Sequence, residues 1–267
     1  MKENNTLNLL NLIHKYYLKI ESLFYLRKQA EALQEIQYIT TTEIVTPDYF
    51  NNDKRICDNN GEVFYKELDN IYVIFNDIEK STKILDYCEK NNLICLYIGY
   101  IKYSSELLSE IINYLKGKMI EITGDGNYSI IENLDEHLLY NIVENNYKDL
   151  YREIKYDCFF DCCCNARLYL QQLECYLYME EYNSKFLTVN ETKNIIRYLL
   201  LLVFSIFNCK INKFLENKNI EICFNTRVGC EYGSCKITRF IIGNYLKQDK
   251  LIGKIVHKAA HQAQGKK

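Results

Sequence analysis

The sequence predicts a mixed α+β domain, and three observations carry that expectation. Ile71-Tyr72-Val73-Ile74-Phe75 is a β-branched and aromatic run with the look of a strand buried on both faces. Lys118 to Ile122 and Tyr128 to Ile131 read as strands around Thr123-Gly124-Asp125-Gly126, whose Asp-Gly centre suits a tight hairpin turn. Between and around these runs, apolar residues recur every three or four positions, the period of a helix with one buried face.

In chain order, residues 6–36 read as a helix. Leu7, Leu10, Ile13, Tyr17, Ile20 and Phe24 form a stripe that packs on the domain or on a second copy of itself. Residues 40–62 lose periodicity and carry Pro47 and Asn51-Asn52-Asp53, so a connecting arm is expected. Residues 1–67 are thus expected to form an N-terminal helix with its arm, and 68–267 the main domain. After the strand ending at Asn76-Asp77 a helix follows, with Ser81 and Thr82 as candidate caps, and residues 92–116 continue with helical spacing. The stretch 135–216 is mostly helical. Ile220 to Gly229 and Lys236 to Gly243 are expected strands, and Gly253 to Gln264 an Ala-rich helix.

The composition narrows the function classes. The 267 residues carry 33 Lys and Arg against 35 Asp and Glu, a formal charge of −2, which disfavours a protein whose main task is coating nucleic acid. At 48% hydrophobic and 25% charged, the chain is neither disordered nor a coiled coil. Met1-Lys2-Glu3-Asn4-Asn5 lacks the apolar core of a secretory signal, and the apolar run Tyr198 to Phe207 is too short to span a bilayer, so it is expected to be a buried helix. The 12 cysteines are irregularly spaced, which suits free thiols in a reducing cytoplasm. Cys158, Cys162, Cys163 and Cys164 are read as buried thiols, since three adjacent cysteines cannot face one ion without strain. Cys230 and Cys235 are expected to flank a turn.

Two carboxylates stand where strands stop, Asp77 and Asp125. If their strands are neighbours, both meet at one sheet edge, and hard oxygen donors there suit Mg²⁺ or Mn²⁺ with positions left for phosphate oxygens. The following Ile78-Glu79-Lys80-Ser81-Thr82 turns into a helix whose free N–H groups can hold a polyphosphate. Downstream come Arg227-Val228-Gly229-Cys230-Glu231-Tyr232-Gly233 and then Gly253-Lys254-Ile255-Val256-His257-Lys258-Ala259-Ala260-His261.

In this order, Phe75-Asn76-Asp77-Ile78-Glu79-Lys80-Ser81-Thr82, Gly124-Asp125-Gly126 and the two downstream segments resemble the class III nucleotide cyclase catalytic domain. The resemblance covers 71–264, with an unmatched helical insertion within 135–216. It implies a ferredoxin-like βαββαβ palm acting as a homodimer with shared active sites. It also implies two divalent metal ions held by Asp77, the Ile78 carbonyl and Asp125, and a nucleoside triphosphate substrate held by Glu79, Lys80, Ser81, Thr82 and Lys247. His257 and His261 stand where the family usually has Asn and Arg. Four residues apart on one helix face, they either act together or are exposed helix residues.

Where adenylate cyclases read adenine with Lys and Asp, this chain has Glu121 and Lys250. A carboxylate accepts from a ring N–H and an ammonium donates to an exocyclic oxygen, which suits guanine or uracil; alternatively the two side chains pair with each other. Arm residues Asp48-Tyr49-Phe50-Asn51 are read either as a cover for a base pocket or as a staple to the domain. A chain of this size with a short N-terminal helix resembles the pyrimidine cyclases of Pycsar antiphage defence. That implies UTP as substrate, cyclic UMP as product and a separate cyclic-nucleotide effector protein. A guanylate cyclase and an inactive nucleotide-binding module are the alternatives.

Overall fold

The computed structural model describes residues 7–33, 56–58, 61–156, 164–183, 187–242 and 246–265. The elements run α1 (Leu9–Leu33), β1 (Ile56–Asp58), β2 (Gly61–Ile78), α2 (Ser81–Lys90), α3 (Ile94–Tyr114), β3 (Lys118–Thr123) and β4 (Gly126–Glu132). Then follow α4 (Glu136–Tyr156), α5 (Cys164–Asn183), α6 (Val189–Glu216), β5 (Thr226–Ile242), β6 (Leu246–Ile252) and α7 (Lys254–Ala263). The main sheet has the order β3-β4-β2-β5-β6, every neighbouring pair antiparallel, with β1 paired to the start of β2. Strands β2, β3, β4 and β5, with α2–α3 and α4–α6 as crossovers, make the ferredoxin-like βαββαβ order, and β6 extends it at the β5 edge.

The run Ile71 to Phe75 lies at the centre because both of its faces are covered. Tyr72, Ile74 and Ile78 face a large core built with α1 to α6, while Ile71, Val73 and Phe75 face a smaller core closed by α7. This is the period-2 alternation of a strand, here apolar on both sides. Fully burying such a side chain contributes roughly 1.5–3 kcal/mol. Gly229 lets α7 sit directly on β5, since a Cβ there would stand 1.8 Å from the Ala259 carbonyl oxygen.

Helix α1 packs on α3 and α6 of its own chain. Its buried stripe is Leu9, Leu12, Ile13, Tyr16, Ile20 and Phe24, slightly rotated from the one the spacing suggests. Asn146 of α4 fixes its start, accepting from the Leu9 amide at 2.7 Å and donating to the Leu7 carbonyl at 2.8 Å. Helix α6 is long and apolar enough to cross a membrane by length and composition, but Leu199, Leu200, Leu202, Val203 and Phe204 are completely enclosed by the rest of the chain. It begins with a capping box between Thr188 and Glu191.

Three local expectations change. The strand expected over Ile220 to Gly229 starts only at Thr226 and continues to Ile242, so Cys230 and Cys235 lie in one strand rather than flanking a turn. Cys230 faces the larger core and Cys235 the smaller, so the two thiols point to opposite sides of the sheet. Lys80, in the left-handed region at φ 58°, is the N-cap of α2, and neither Ser81 nor Thr82 caps it. Asp48-Tyr49-Phe50-Asn51, Cys158, Cys162, Cys163 and the Cys164 side chain lie outside the described residues.

Candidate active site

The end of β2 sets the site. Asp77 stands in register with Gly126 of β4 on one side and Arg227 of β5 on the other. Asp125, in the turn before Gly126, is thereby brought near enough to Asp77 for its charge to act on that carboxyl. The two carboxylates proposed from strand ends do meet at one sheet edge.

Arg227 donates from Nη2 to Asp77 Oδ2. Among the described residues its Nε has no hydrogen-bond partner, and its side chain is 32% exposed against 13% for Asp77. Burial pushes the Asp77 carboxyl above the usual carboxylate range; Arg227 opposes that shift and the charge of Asp125 adds to it. Arg227 is the functional side chain that sequence reading missed as a partner of Asp77. Only the strand register, set 150 positions along the chain, puts them side by side.

The wall beyond the carboxylates is aromatic. Tyr97 of α3 is buried and feels both Asp125 and Asp77. Burial, then the charge of Asp125, pushes its phenol upward. Tyr128 of β4 packs on Phe75 with ring centroids 4.6 Å apart. Below lies a buried polar layer: Tyr100 donates to Asn208 Oδ1 at 2.6 Å, and Asn208 Nδ2 donates to Thr226 Oγ1 at 3.2 Å. This layer ties α3 and α6 to the residue preceding Arg227 in β5.

The turn after Asp77 is held from β5's approach. The Glu79 amide donates to the Asn225 carbonyl at 2.9 Å, and Lys80 Nζ stands 3.7 Å from Glu79 Oε1. Glu79 and Ser81 are half-buried, while Lys80 and Thr82 are exposed. A cleft of about 270 Å³ opens beside this turn, lined by Glu79, Lys80, Lys83, Tyr87, Glu221 and Asn225 among others. Ile78 is buried and pairs with Thr226.

Glu121 and Lys250 are brought together, Oε1 to Nζ at 3.5 Å, with Glu121 buried. Since β3 and β6 are opposite edges of the strand order, this contact also shows how strongly the sheet curls. His257 and His261 lie on the exposed face of α7, opposite Val256, Ala259 and Ala263, which pack on the sheet. Lys247 pairs through its backbone with Ile241, and its side chain lies outside the described residues.

As a cation site, the donors are hard oxygens. Among the described residues there is no group of three His, Cys, Asp or Glu, so Asp77 and Asp125 form a pair. The two carboxylates are donors of the kind a divalent ion takes, and with a guanidinium already against one of them they would supply only part of such an ion's ligands.

No protein-family model matches the chain, and no characterised protein matches it in sequence. Solved structures are similar to it in fold. One is a class III adenylyl cyclase-like ATP-binding protein from Pseudomonas aeruginosa, at 12% identity and TM-score 0.42, covering 77% of this chain and 32% of that one. A second is the adenylyl cyclase CyaB from P. aeruginosa, at 12% identity and TM-score 0.41, covering 76% and 75%. The guanylyl cyclase Cya2 matches at 9% identity and TM-score 0.41, covering 76% and 72%. The chain thus spans about a third of the first of these structures and most of the other two. These likenesses are weak, and the fold assignment rests on the strand order and register given above.

Proposed function

We propose that the chain is a nucleotidyl cyclase that converts a nucleoside triphosphate to a 3′,5′-cyclic nucleotide and pyrophosphate. The observation that carries this reading is the meeting of Asp77 and Asp125 at the end of the central strand, beside a tight turn into α2. Divalent ions, Mg²⁺ or Mn²⁺, would polarise the ribose 3′-hydroxyl and offset the triphosphate charge there. The 3′-oxygen attacks the α-phosphorus in line, its proton passes to solvent, and the bond to the β-phosphate breaks to release pyrophosphate.

In this reading Asp77, the Ile78 carbonyl and Asp125 hold the metal side. Glu79, Lys80, Ser81 and Thr82 shape the turn that receives the triphosphate, with Lys247 a further phosphate contact. Arg227, once Asp77 is engaged elsewhere, has its guanidinium free for phosphate oxygens. Glu121 and Lys250 must part to read a base, the carboxylate accepting from a ring N–H and the ammonium donating to an exocyclic oxygen, which favours UTP or GTP over ATP. The two exposed histidines of α7 complete the site of a second copy, so the enzyme works as a homodimer. Its setting is the cytoplasm, its product cyclic UMP, and its role a signal to a separate effector protein in antiphage defence.

The second reading is a nucleotide-binding module without turnover, favoured by the guanidinium that already occupies Asp77. Purified protein incubated separately with ATP, GTP, CTP and UTP and either metal, with products identified by mass spectrometry, separates them. A metal-dependent cyclic product that falls about a hundredfold or more in Asp77→Asn, with circular dichroism unchanged, supports the enzyme. Cyclic GMP would move the base assignment to guanine, and no cyclic product from a folded dimer would favour the module.

A further inference from the structure

A second cleft lies on the other side of α6 from the sheet, between α1 and the C-terminal half of α6, and nothing in the cyclase reading uses it. It encloses about 460 Å³, within the range of small-ligand sites. One wall is aromatic. Tyr25 and Phe214 meet edge to face at 6.1 Å, and Tyr17 packs on the far side of Phe214 at 6.5 Å. The other wall is cationic, with Lys210, Lys213 and Lys218.

The three ammonium groups are not equivalent. Lys210 is committed to Glu153 across the cleft floor. Glu21, the second carboxylate of the lining, stands near enough to Tyr17 for its charge, after burial, to push that phenol up. Among the described residues Lys213 and Lys218 have no carboxylate within ion-pair distance; Lys218 Nζ lies instead over the Tyr25 and Phe214 rings, at 5.2 and 5.7 Å from their centroids. An exposed Tyr25 ring that already carries the Lys218 ammonium over it, beside Lys213, which has no carboxylate partner among the described residues, is complementary to a ligand with one π-face and one phosphate.

We propose that this cleft binds a mononucleotide, its base on the Tyr25 ring and its phosphate between Lys213 and Lys218. Stacking reads no base edge, so the site accepts purine and pyrimidine alike. The same stretch of α6 is also tied to the approach to β5. Asn212, on the same turns of α6 as Lys210, Lys213 and Phe214, accepts from the Phe224 amide at 2.8 Å and donates to the Phe224 carbonyl at 2.9 Å, three residues before Arg227. The proposal stands on the cleft alone and does not depend on the cyclase reading.

The chain contains no Trp, so Tyr25→Trp places a single indole on the cleft wall. Titration with uridine 5′-monophosphate and with adenosine 5′-monophosphate is expected to quench that indole saturably, with inorganic phosphate competing and uridine alone far weaker. Lys213→Glu with Lys218→Glu should raise the Kd at least about tenfold; the milder Lys213→Gln, Lys218→Gln pair should shift it in the same direction. Asp77→Asn in the same background should leave the quenching unchanged, which separates this site from the carboxylate site. Calorimetry on chains without the indole, comparing the wild type with the Lys→Gln pair, checks the same loss. No saturable quenching, quenching indifferent to both lysines, or quenching abolished by Asp77→Asn would overturn the proposal.

Discussion

Strand β5 carries two arginine–aspartate pairs in the same cross-strand geometry, and they differ in how completely each is satisfied. Arg239 faces Asp249 of β6 and makes two bonds, Nε to Oδ1 at 2.6 Å and Nη2 to Oδ2 at 2.8 Å. Its side chain is 10% exposed and that of Asp249 6%. Arg227 faces Asp77 of β2 through Nη2, leaves Nε without a partner among the described residues, and shares its aspartate with a second carboxylate. The first pair is a closed fork that fastens β6 to β5. The second is open, with donor capacity left over and excess negative charge beside it. A charge pair alone therefore does not mark a site; unsatisfied valence at a strand end beside a turn does.

The largest expected effect breaks the closed pair. Arg239→Met leaves Asp249 buried without its partner and should cost about 3–5 kcal/mol, read as a fall in the denaturation midpoint, whereas Arg239→Met with Asp249→Leu should recover most of it. If the double variant is no better than the single one, the pair is not the clip described here. Arg227→Gln should be milder, about 1 kcal/mol, because solvent screens a guanidinium that is one-third exposed. It sharpens the contrast further: Mn²⁺ should raise the melting temperature of Arg227→Gln more than that of wild type, since the cation no longer competes with arginine for Asp77. An equal rise in both would remove the open pair from the cation site.

Glu121→Gln removes an ion pair whose lysine is 42% exposed, so less than about 1 kcal/mol is expected, with the readout a shift in nucleotide preference rather than in stability. The smallest effect is a pH dependence far from the sheet. Burial alone would raise the Glu110 carboxyl, but the hydrogen bonds from Lys15 and Tyr16 outweigh it and hold it below the usual range. A depressed carboxylate stabilises the fold above its unfolded pKa, and that contribution is lost as pH falls through the folded value. The melting-temperature gap between wild type and Glu110→Gln should therefore close as pH drops below about 4. A gap that widens on acidification would reverse the assignment.

How far the sequence could be read follows from the reach of each interaction. Ile71 to Phe75, the Asp125-Gly126 turn and the Ala-rich α7 announce themselves locally, so the palm and its two carboxylates were legible. Strand β6 was not foreseen, because Leu246 to Ile252 alternates through Lys247, Asp249 and Lys250 and reads as a polar loop. The Arg239 fork offsets the cost of burying Asp249. The continuity of β5 through Gly233 was hidden for a similar reason: its pairing with β2 carries it past a bulge between Leu68 and Ile71. The pairing of Glu121 with Lys250 depends on the curl of the whole sheet, which no local pattern encodes.

The 150-residue separation of Asp77 and Arg227 has a bearing on how the protein is made. During synthesis the central strand emerges long before β5, so one of its edges stays open while five helices, the long apolar α6 among them, are still being added. Folding of the palm must therefore await nearly the whole chain. A ribosome that stalls within α6 would hold a nascent chain with an exposed strand edge and a bare apolar helix, a natural target for chaperones.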